Sequence, residues 1–373
     1  MLEPPTLATT RLDHIHANLE AIRARVGNRQ VLAAVKADAY GHGAIEVCRM
    51  IERTGAADWL GVATVAEGVA LRDAGVGLPI LKLSVARGPE VEVAVDSGLA
   101  LCVVDDNSIA EASAAAVVRG VEAELHLKVD TGMRRIGCDP ADAVRLAELV
   151  DASPGVRLGG LFSHLPISDS PAGVAFTRSQ VELFARTAGE VEAAHGPIPL
   201  KHLANSGAVL GHPDAWFDLV RPGIMIYGAY PDPESVRSVE LLPGLEWRTR
   251  VTFVKPIRAG ETVGYGRTWT APRDTWIATL PVGYGDGFSR LLSNRGRVLI
   301  AGRSYPVVGR VCMDQTMIDV GPDPSVEVGD DAVLVGSSGN EEITTSEIAS
   351  LMGTIPYEVT CLITARVARK TIG

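Results

Sequence analysis

Lys36 stands directly after the apolar run Val31-Leu32-Ala33-Ala34-Val35. A cation at the end of a buried strand is costly unless it is neutralised or used. Burial lowers a lysine's pKa and makes its amine a nucleophile toward carbonyls, which is the requirement for a Schiff base. Taken alone, the position also fits a lysine that merely leaves a sheet for solvent. Arg221 lies between the short run Asp218–Val220 and the turn Pro222-Gly223. Its guanidinium keeps its proton at ordinary pH and can only donate, although an isolated arginine would ordinarily pair with a surface carboxylate. Ser206 follows the run Leu200–Leu203, and His164 follows Leu158–Phe162. The first fits a helix cap or an anion ligand; the second, alone, fits a satisfied buried imidazole.

The elements that must position these groups follow one rhythm. Eight short apolar runs recur at Val31–Val35, Trp59–Ala63, Ile80–Leu83, Ala100–Val103, Leu125–Val129, Leu158–Phe162, Leu200–Leu203 and Asp218–Val220. Between most of them lies a helix-patterned segment, as at Ser108–Val118 and Ala141–Val150. An opening helix is expected with Asp13 as cap and Ile15, Leu19, Ile22 and Val26 on its apolar face. Runs apolar along their whole length, each followed by a helix, read as buried parallel strands, and eight such units close a (β/α)8 TIM-like barrel. A doubly wound open sheet is the competing reading, but no G-x-G-x-x-G follows the first strand. In a barrel Lys36 lies at the carboxyl face, where catalytic groups gather. Ser206 and Gly223 then follow the seventh and eighth strands, whose loops commonly bind phosphate.

After about residue 240 the texture turns to short strands, expected at Arg248–Ile257, Trp276–Val282, Arg297–Ala301, Val307–Val311, Met317–Val320 and Ala332–Val335. One helix is expected near Thr345–Met352, capped by Thr345 or Ser346. Pro231-Asp232-Pro233 reads as a linker. The expected organisation is a barrel domain over residues 1–238 and a mostly β domain over 239–373.

Composition narrows the classes. The chain has 373 residues, 46% of them hydrophobic, and a net charge of -10 without any compensating basic block, so nucleic acid is not expected as a partner. No apolar stretch approaches a membrane span. The five cysteines are scattered, with no zinc-ligand spacing, and read as buried free thiols in a reducing compartment. The start Met1-Leu2-Glu3-Pro4-Pro5 lacks the basic and apolar regions of a signal peptide. A cytoplasmic protein without a bound metal is expected.

The stretch Ala34-Val35-Lys36-Ala37-Asp38-Ala39-Tyr40-Gly41-His42-Gly43 resembles the pyridoxal-phosphate attachment segment of alanine racemases, fold type III enzymes. The likeness continues in order through Lys128-Val129-Asp130-Thr131-Gly132-Met133, His202-Leu203-Ala204-Asn205-Ser206 and Arg221-Pro222-Gly223-Ile224-Met225-Ile226-Tyr227-Gly228. It then takes in Val263-Gly264-Tyr265-Gly266, Pro281-Val282-Gly283-Tyr284, Cys312-Met313-Asp314 and Pro356-Tyr357-Glu358. The resemblance implies pyridoxal 5'-phosphate as cofactor, held in an aldimine by Lys36, with Tyr40, Ser206, Gly223, Ile224 and Tyr357 on the phosphate. It places Arg221 at the pyridine nitrogen, which an arginine leaves unprotonated, so that the proton returns to the substrate Cα rather than to the cofactor. It implies a two-base exchange between L- and D-alanine by Lys36 and Tyr265. Tyr265 comes from the partner of a homodimer and is linked through His164 to Arg221. Arg135 and the partner's Met313 would receive the substrate carboxylate. Lys128 matches a lysine often carbamylated, while Tyr284, Tyr357 and Asp314 line or support the access path. D-Alanine of this origin feeds peptidoglycan precursors.

Two places depart from the family pattern. Arg134 stands where Gly, Ser, Asn or His is usual, and Leu165-Pro166-Ile167-Ser168 replaces the usual sequence after His164. A serine or broad-specificity racemase of the same fold is the nearest alternative. A decarboxylase of related architecture would carry a carboxylate where Arg221 stands, and a non-catalytic carrier would lack the second domain.

Overall fold

The parallel strands Gln30–Ala34, Trp59–Val62, Ile80–Val85, Ala100–Val103, Ala123–Lys128, Val156–Phe162, Leu200–His202 and Leu219–Val220, the first to eighth below, form one sheet. The computed structural model describes residues 4–322 and 325–373. Each strand pairs with the next as far as the seventh, and the eighth returns to the first, with Val220 opposite Val31. The circle closes between the seventh and eighth, where Asp218 N–H donates to Lys201 C=O at 3.0 Å and Arg221 N–H to Ala204 C=O at 2.8 Å. This is the expected TIM-like barrel, and its strands are legible because burial on both faces makes them apolar throughout.

Helices follow the first seven strands, among them Val65–Asp73, started by a Thr64/Glu67 capping box, and Asp106–Arg119, capped by Asp105. Inside the barrel Leu32, Trp59, Leu81, Ala100, Leu200 and Leu219 form an apolar layer. The fifth strand breaks that pattern, because its period of two turns Glu124, His126 and Lys128 to the same face.

The chain divides into two units, Ile15–Leu242 and Met1–His14 with Pro243–Gly373. This corrects the expected boundary twice. Residues 4–14 belong with the β unit, because the strand Leu7–Arg11 pairs antiparallel with Leu245–Arg250 and parallel with Ala368–Ile372. Residues 231–233 are not a linker. Beside them, Ser235 Oγ donates to Asp169 C=O at 3.1 Å and Ser238 Oγ to Leu210 C=O at 2.7 Å, fastening this segment to the barrel.

The β unit packs Trp247, Phe288, Leu299 and Leu334 into its core. A second, three-stranded sheet orders Phe253–Ile257, Thr275–Leu280 and Thr316–Gly321. The single strand expected over Arg248–Ile257 is two, Leu245–Arg250 and Phe253–Ile257. The chain changes sheets at Val251 and Thr252, whose N–H groups bond Asp330 C=O and Thr279 C=O. Val307–Val311 is not a strand; the ladder runs through Arg303–Pro306, leaving Val307 a lone bridge to Ile318. The helix Thr345–Met352 forms as expected but is capped by Thr344, whose hydroxyl accepts from Glu347 N–H. The opening helix begins at Leu12, so Asp13 lies in its first turn and pairs with Arg11 instead of capping. Cys48, Cys102 and Cys138 are buried free thiols, but Cys361 is exposed and Cys312 half-buried. Among the described residues no helix is long and apolar enough to cross a membrane.

Candidate active site

Lys36 leaves the first strand into an unusual turn. Four consecutive residues, Ala37 to Tyr40, have φ between 51 and 55°, a left-handed conformation costing L-residues roughly 1–2 kcal/mol each. Neighbouring groups offset that cost. Glu67 Oε1 accepts from Ala37 N–H and Asp38 Oδ1 from Ala44 N–H, both at 2.7 Å. His42 Nδ1 donates to the carbonyls of Ala39 and Tyr40 at 3.0 Å, and its ring stacks on Tyr227 at 4.5 Å. Tyr227 Oη in turn donates to Ala34 C=O at 2.9 Å. The turn brings Tyr40 back beneath Lys36, whose Nζ lies 5.9 Å from the ring centre.

Tyr40 points its hydroxyl at Gly223. A β-carbon on Gly223 would lie 2.5 Å from Tyr40 Oη, so only glycine leaves this space open. Gly223 N–H donates to the buried Ser206 Oγ at 2.8 Å, and Ile224 begins a short 3-10 turn immediately after. Two hydroxyls and the start of a backbone turn therefore converge after the seventh and eighth strands, a cradle suited to a small oxyanion. Ser206 is not the helix cap. Asn205 takes that part, accepting from Ala208 N–H at 3.1 Å.

Arg221 is buried and meets no carboxylate. Nη1 donates to His202 C=O at 2.7 Å and to His202 Nδ1 at 3.0 Å; Nη2 donates to Ser163 C=O at 2.6 Å and Leu203 C=O at 3.2 Å. His164 Nδ1 is its longest partner, at 3.5 Å. Nε–H makes no hydrogen bond among the described residues and remains available. Burial alone pushes the guanidinium down to about 9. Burial, followed by the charges of Arg221, Arg135, Lys128 and Lys36, holds His164 well below the usual imidazole range, so it is neutral. Phe162 floors this corner, with Arg221 Cζ 5.4 Å and Lys128 Nζ 4.9 Å from its ring centre.

Lys128 ends the fifth strand with its Nζ 3.2 Å from Leu83 C=O. Desolvation first, and then Arg221, Arg135 and Lys36, push its amine down to about 8. Arg135 is exposed on the following loop. Arg134 has φ 55° and donates its N–H to Asp130 Oδ1 at 3.1 Å. A left-handed position explains why Gly or Asn is usual there. The second departure is tied to the cradle: Ser168 Oγ donates to Asn205 Oδ1 at 2.7 Å, and Asn205 Nδ2 to Leu165 C=O at 3.0 Å.

The barrel thus gathers Lys36, Tyr40, Lys128, Arg135, His164, Ser206, Arg221, Gly223 and Ile224. The β unit carries the other five expected residues. Tyr265 is 73% exposed in a turn between the paired segments Thr262–Val263 and Trp269–Thr270; the flanking Gly264 and Gly266 adopt φ 70 and 72°. Tyr284 and Met313 are exposed on facing loops, with Tyr284 N–H bonded to Cys312 C=O and Gly285 N–H to Met313 C=O. Asp314 pairs with Arg366 at 2.8 Å. Tyr357 lies on the helix Pro356–Cys361, an element that sequence reading did not anticipate. Sequence reading also missed Glu67, His126 and Tyr227. A glutamate three residues after Thr64 was the available signal for the first.

Residues 10–231 match the family description "Alanine racemase, N-terminal domain" and residues 244–371 match "Alanine racemase, C-terminal domain". The alanine racemase of Cutibacterium acnes is 51% identical over 369 residues, covering 99% of this chain and 98% of that protein. That of Symbiobacterium thermophilum is 44% identical over 365 residues, covering 98% and 96%. The solved alanine racemase of Streptomyces coelicolor A3(2) superposes with a TM-score of 0.92 at 37% identity, over 99% of this chain and 98% of that one. Both halves of the chain therefore match an isomerase family along their length: the chain belongs to the alanine racemase family.

Proposed function

We propose that the protein interconverts L- and D-alanine with pyridoxal 5'-phosphate as cofactor. The observation that carries this reading is Arg221, a buried cation whose partners are all neutral and whose Nε–H is unspent. The residues present fit the cofactor: Tyr40, Ser206, Gly223 and Ile224, with Tyr357, would hold its phosphate, and Arg221 its ring nitrogen. When bound, the cofactor supplies an aldehyde for the substrate amine and a conjugated ring that spreads charge from Cα.

Arg221 keeps its proton and so holds the ring nitrogen unprotonated, favouring return of the proton to Cα. Lys36 Nζ moves a proton at one face of Cα. Tyr265 of the partner subunit moves one at the other, so neither base has to travel. An unperturbed phenol is a weak base at neutral pH, and neutral His164 beside Arg221 can relay its proton. Arg135 and the partner's Met313 bind the substrate carboxylate. Lys128, as its carbamate, would hold Arg135 in place. Tyr284, Tyr357 and Asp314 narrow access to small amino acids. The reading requires a homodimer in the cytoplasm supplying D-alanine for peptidoglycan precursors.

Chiral analysis of products from L-alanine, D-alanine and L-serine tests the reading. Alanine should racemise in both directions and faster than serine, Lys36→Ala should abolish it, and Tyr265→Phe should lower kcat/KM equally in both directions while Cα hydrogen exchange is lost from one enantiomer more than from the other. Cofactor binding without inversion at Cα would sink the proposal.

A further inference from the structure

From Arg221 a line of hydrogen bonds crosses the barrel interior to its opposite mouth. Arg221 Nη1 meets His202 Nδ1 at 3.0 Å, His202 Nε2 meets His126 Nδ1 at 2.8 Å, and His126 Nε2 meets Glu124 Oε1 at 3.3 Å. The second carboxylate oxygen, Oε2, accepts from Arg157 Nη2. Both histidines are shut off from solvent. Glu124 lines a cavity at the amino-terminal mouth together with Trp59, Glu122 and Arg157.

The two ends dictate a single direction. A guanidinium only donates and a carboxylate only accepts, while a neutral imidazole has one donor and one acceptor. His202 must therefore accept at Nδ1 and donate from Nε2, and His126 must do the same. The opposite assignment would set an N–H of His202 against an N–H of Arg221. Burial keeps both rings below their usual pKa and hence neutral. Against its own burial, Glu124 is held below the ordinary carboxylate range by its bonds from His126 and Arg157.

The fold makes room for this line. A β-carbon on Gly160 would lie 2.5 Å from His126 Nδ1, and one on Gly159 would overlap Glu124. Two consecutive glycines on the sixth strand thus face the polar residues of the fifth. His202 stacks on Phe162 at 4.7 Å, and the edge of His126 meets Trp59 at 5.5 Å.

We propose that Glu124 is a positioning residue for Arg221. Arg157 occupies Oε2, so Oε1 is reserved for His126, and the resulting tautomers keep His202 Nδ1 a permanent acceptor for the guanidinium. The inference rests on the proposed function only for its kinetic readout.

Glu124→Gln provides the test because it preserves shape. One oxygen then remains, Arg157 captures it, and the amide NH2 faces His126, imposing the reverse assignment. The holoenzyme should lose about tenfold in kcat with KM for alanine little changed. Arg157→Leu alone should stay near wild type. Glu124→Gln/Arg157→Leu, in which the amide can turn its oxygen to His126, should recover to within about twofold of wild type. A second substitution that restores activity is not what a merely structural role produces. Nitrogen-15 NMR of histidine-labelled protein, with and without cofactor, should show His126 and His202 neutral and protonated at Nε2, and Glu124→Gln should shift both toward Nδ1. Nδ1 protonation in the wild type, an unchanged kcat in Glu124→Gln, or a double variant no better than Glu124→Gln would overturn the proposal. A wild type that fails to racemise alanine would instead refute the function and leave the NMR result standing.

Discussion

The hydroxyl of Tyr40 lies 2.5 Å from the point where Gly223 would carry a β-carbon. That close approach makes the requirement at Gly223 one of space. Gly223→Ala should fold but push the hydroxyl out of the cradle. Cofactor affinity should fall about tenfold, the loss of one good polar contact. Equilibrium dialysis against pyridoxal phosphate checks this.

Lys128 makes stability depend on pH. Its amine is pushed from an ordinary lysine value to about 8 in the folded state. Below pH 8 both folded and unfolded states carry the proton, and the cost of burying the cation is fully present. Between pH 8 and the unfolded value near 10.5 the unfolded state binds more protons, so stability should rise with pH. In buffer free of carbon dioxide, Lys128→Met should be more stable at pH 7 and lose this rise, as followed by urea midpoints. In bicarbonate the neutral amine should take up carbon dioxide. An intact mass showing only the bare amine under those conditions would count against the carbamate.

Arg134 holds a left-handed φ without being glycine. Arg134→Gly should remove that penalty and stabilise the protein by about 1 kcal/mol. A urea midpoint that stays fixed or falls would contradict it.

Glu67 accepts three backbone N–H groups, from Ala37, Ala63 and Thr64. Glu67→Gln would set an amide NH2 against at least one of these donors. The expected loss is about 1–3 kcal/mol, and hydrogen exchange should accelerate at Ala37 to Tyr40 before it does elsewhere. Uniform exchange would show that the turn after Lys36 does not depend on Glu67.

The barrel was legible because its strands are apolar along their length, so each appears as a run whose ends show. The β unit was harder. Phe253–Ile257 merged with the strand before it because nothing local marks the change of sheet at Val251 and Thr252, and Thr262–Val263, with two residues, leaves no pattern. Leu7–Arg11 finds its partners at Leu245–Arg250 and Ala368–Ile372, far beyond any local signal. In the site, Lys36 and Arg221 stood out because a cation beside a buried strand needs a reason. His126 did not, since the expected strand began at Leu125 and left out Glu124. The alternation Glu124, His126, Lys128 was the missed sign of a polar face turned inward.

The pairing of Leu7–Arg11 with strands near the other end of the chain also orders events during synthesis. The barrel unit is contiguous and can complete its sheet once residue 242 has left the ribosome. The opening strand must wait, its edge groups unsatisfied, until Leu245–Arg250 emerges, and for its second neighbour until Ala368–Ile372 follows. Chains stalled near residue 300 should therefore yield a protease-resistant barrel, and chains stalled near residue 240 should lose their first 14 residues to the same protease. Emergence of Ala368–Ile372, and not of the barrel, is the step that seals the β unit.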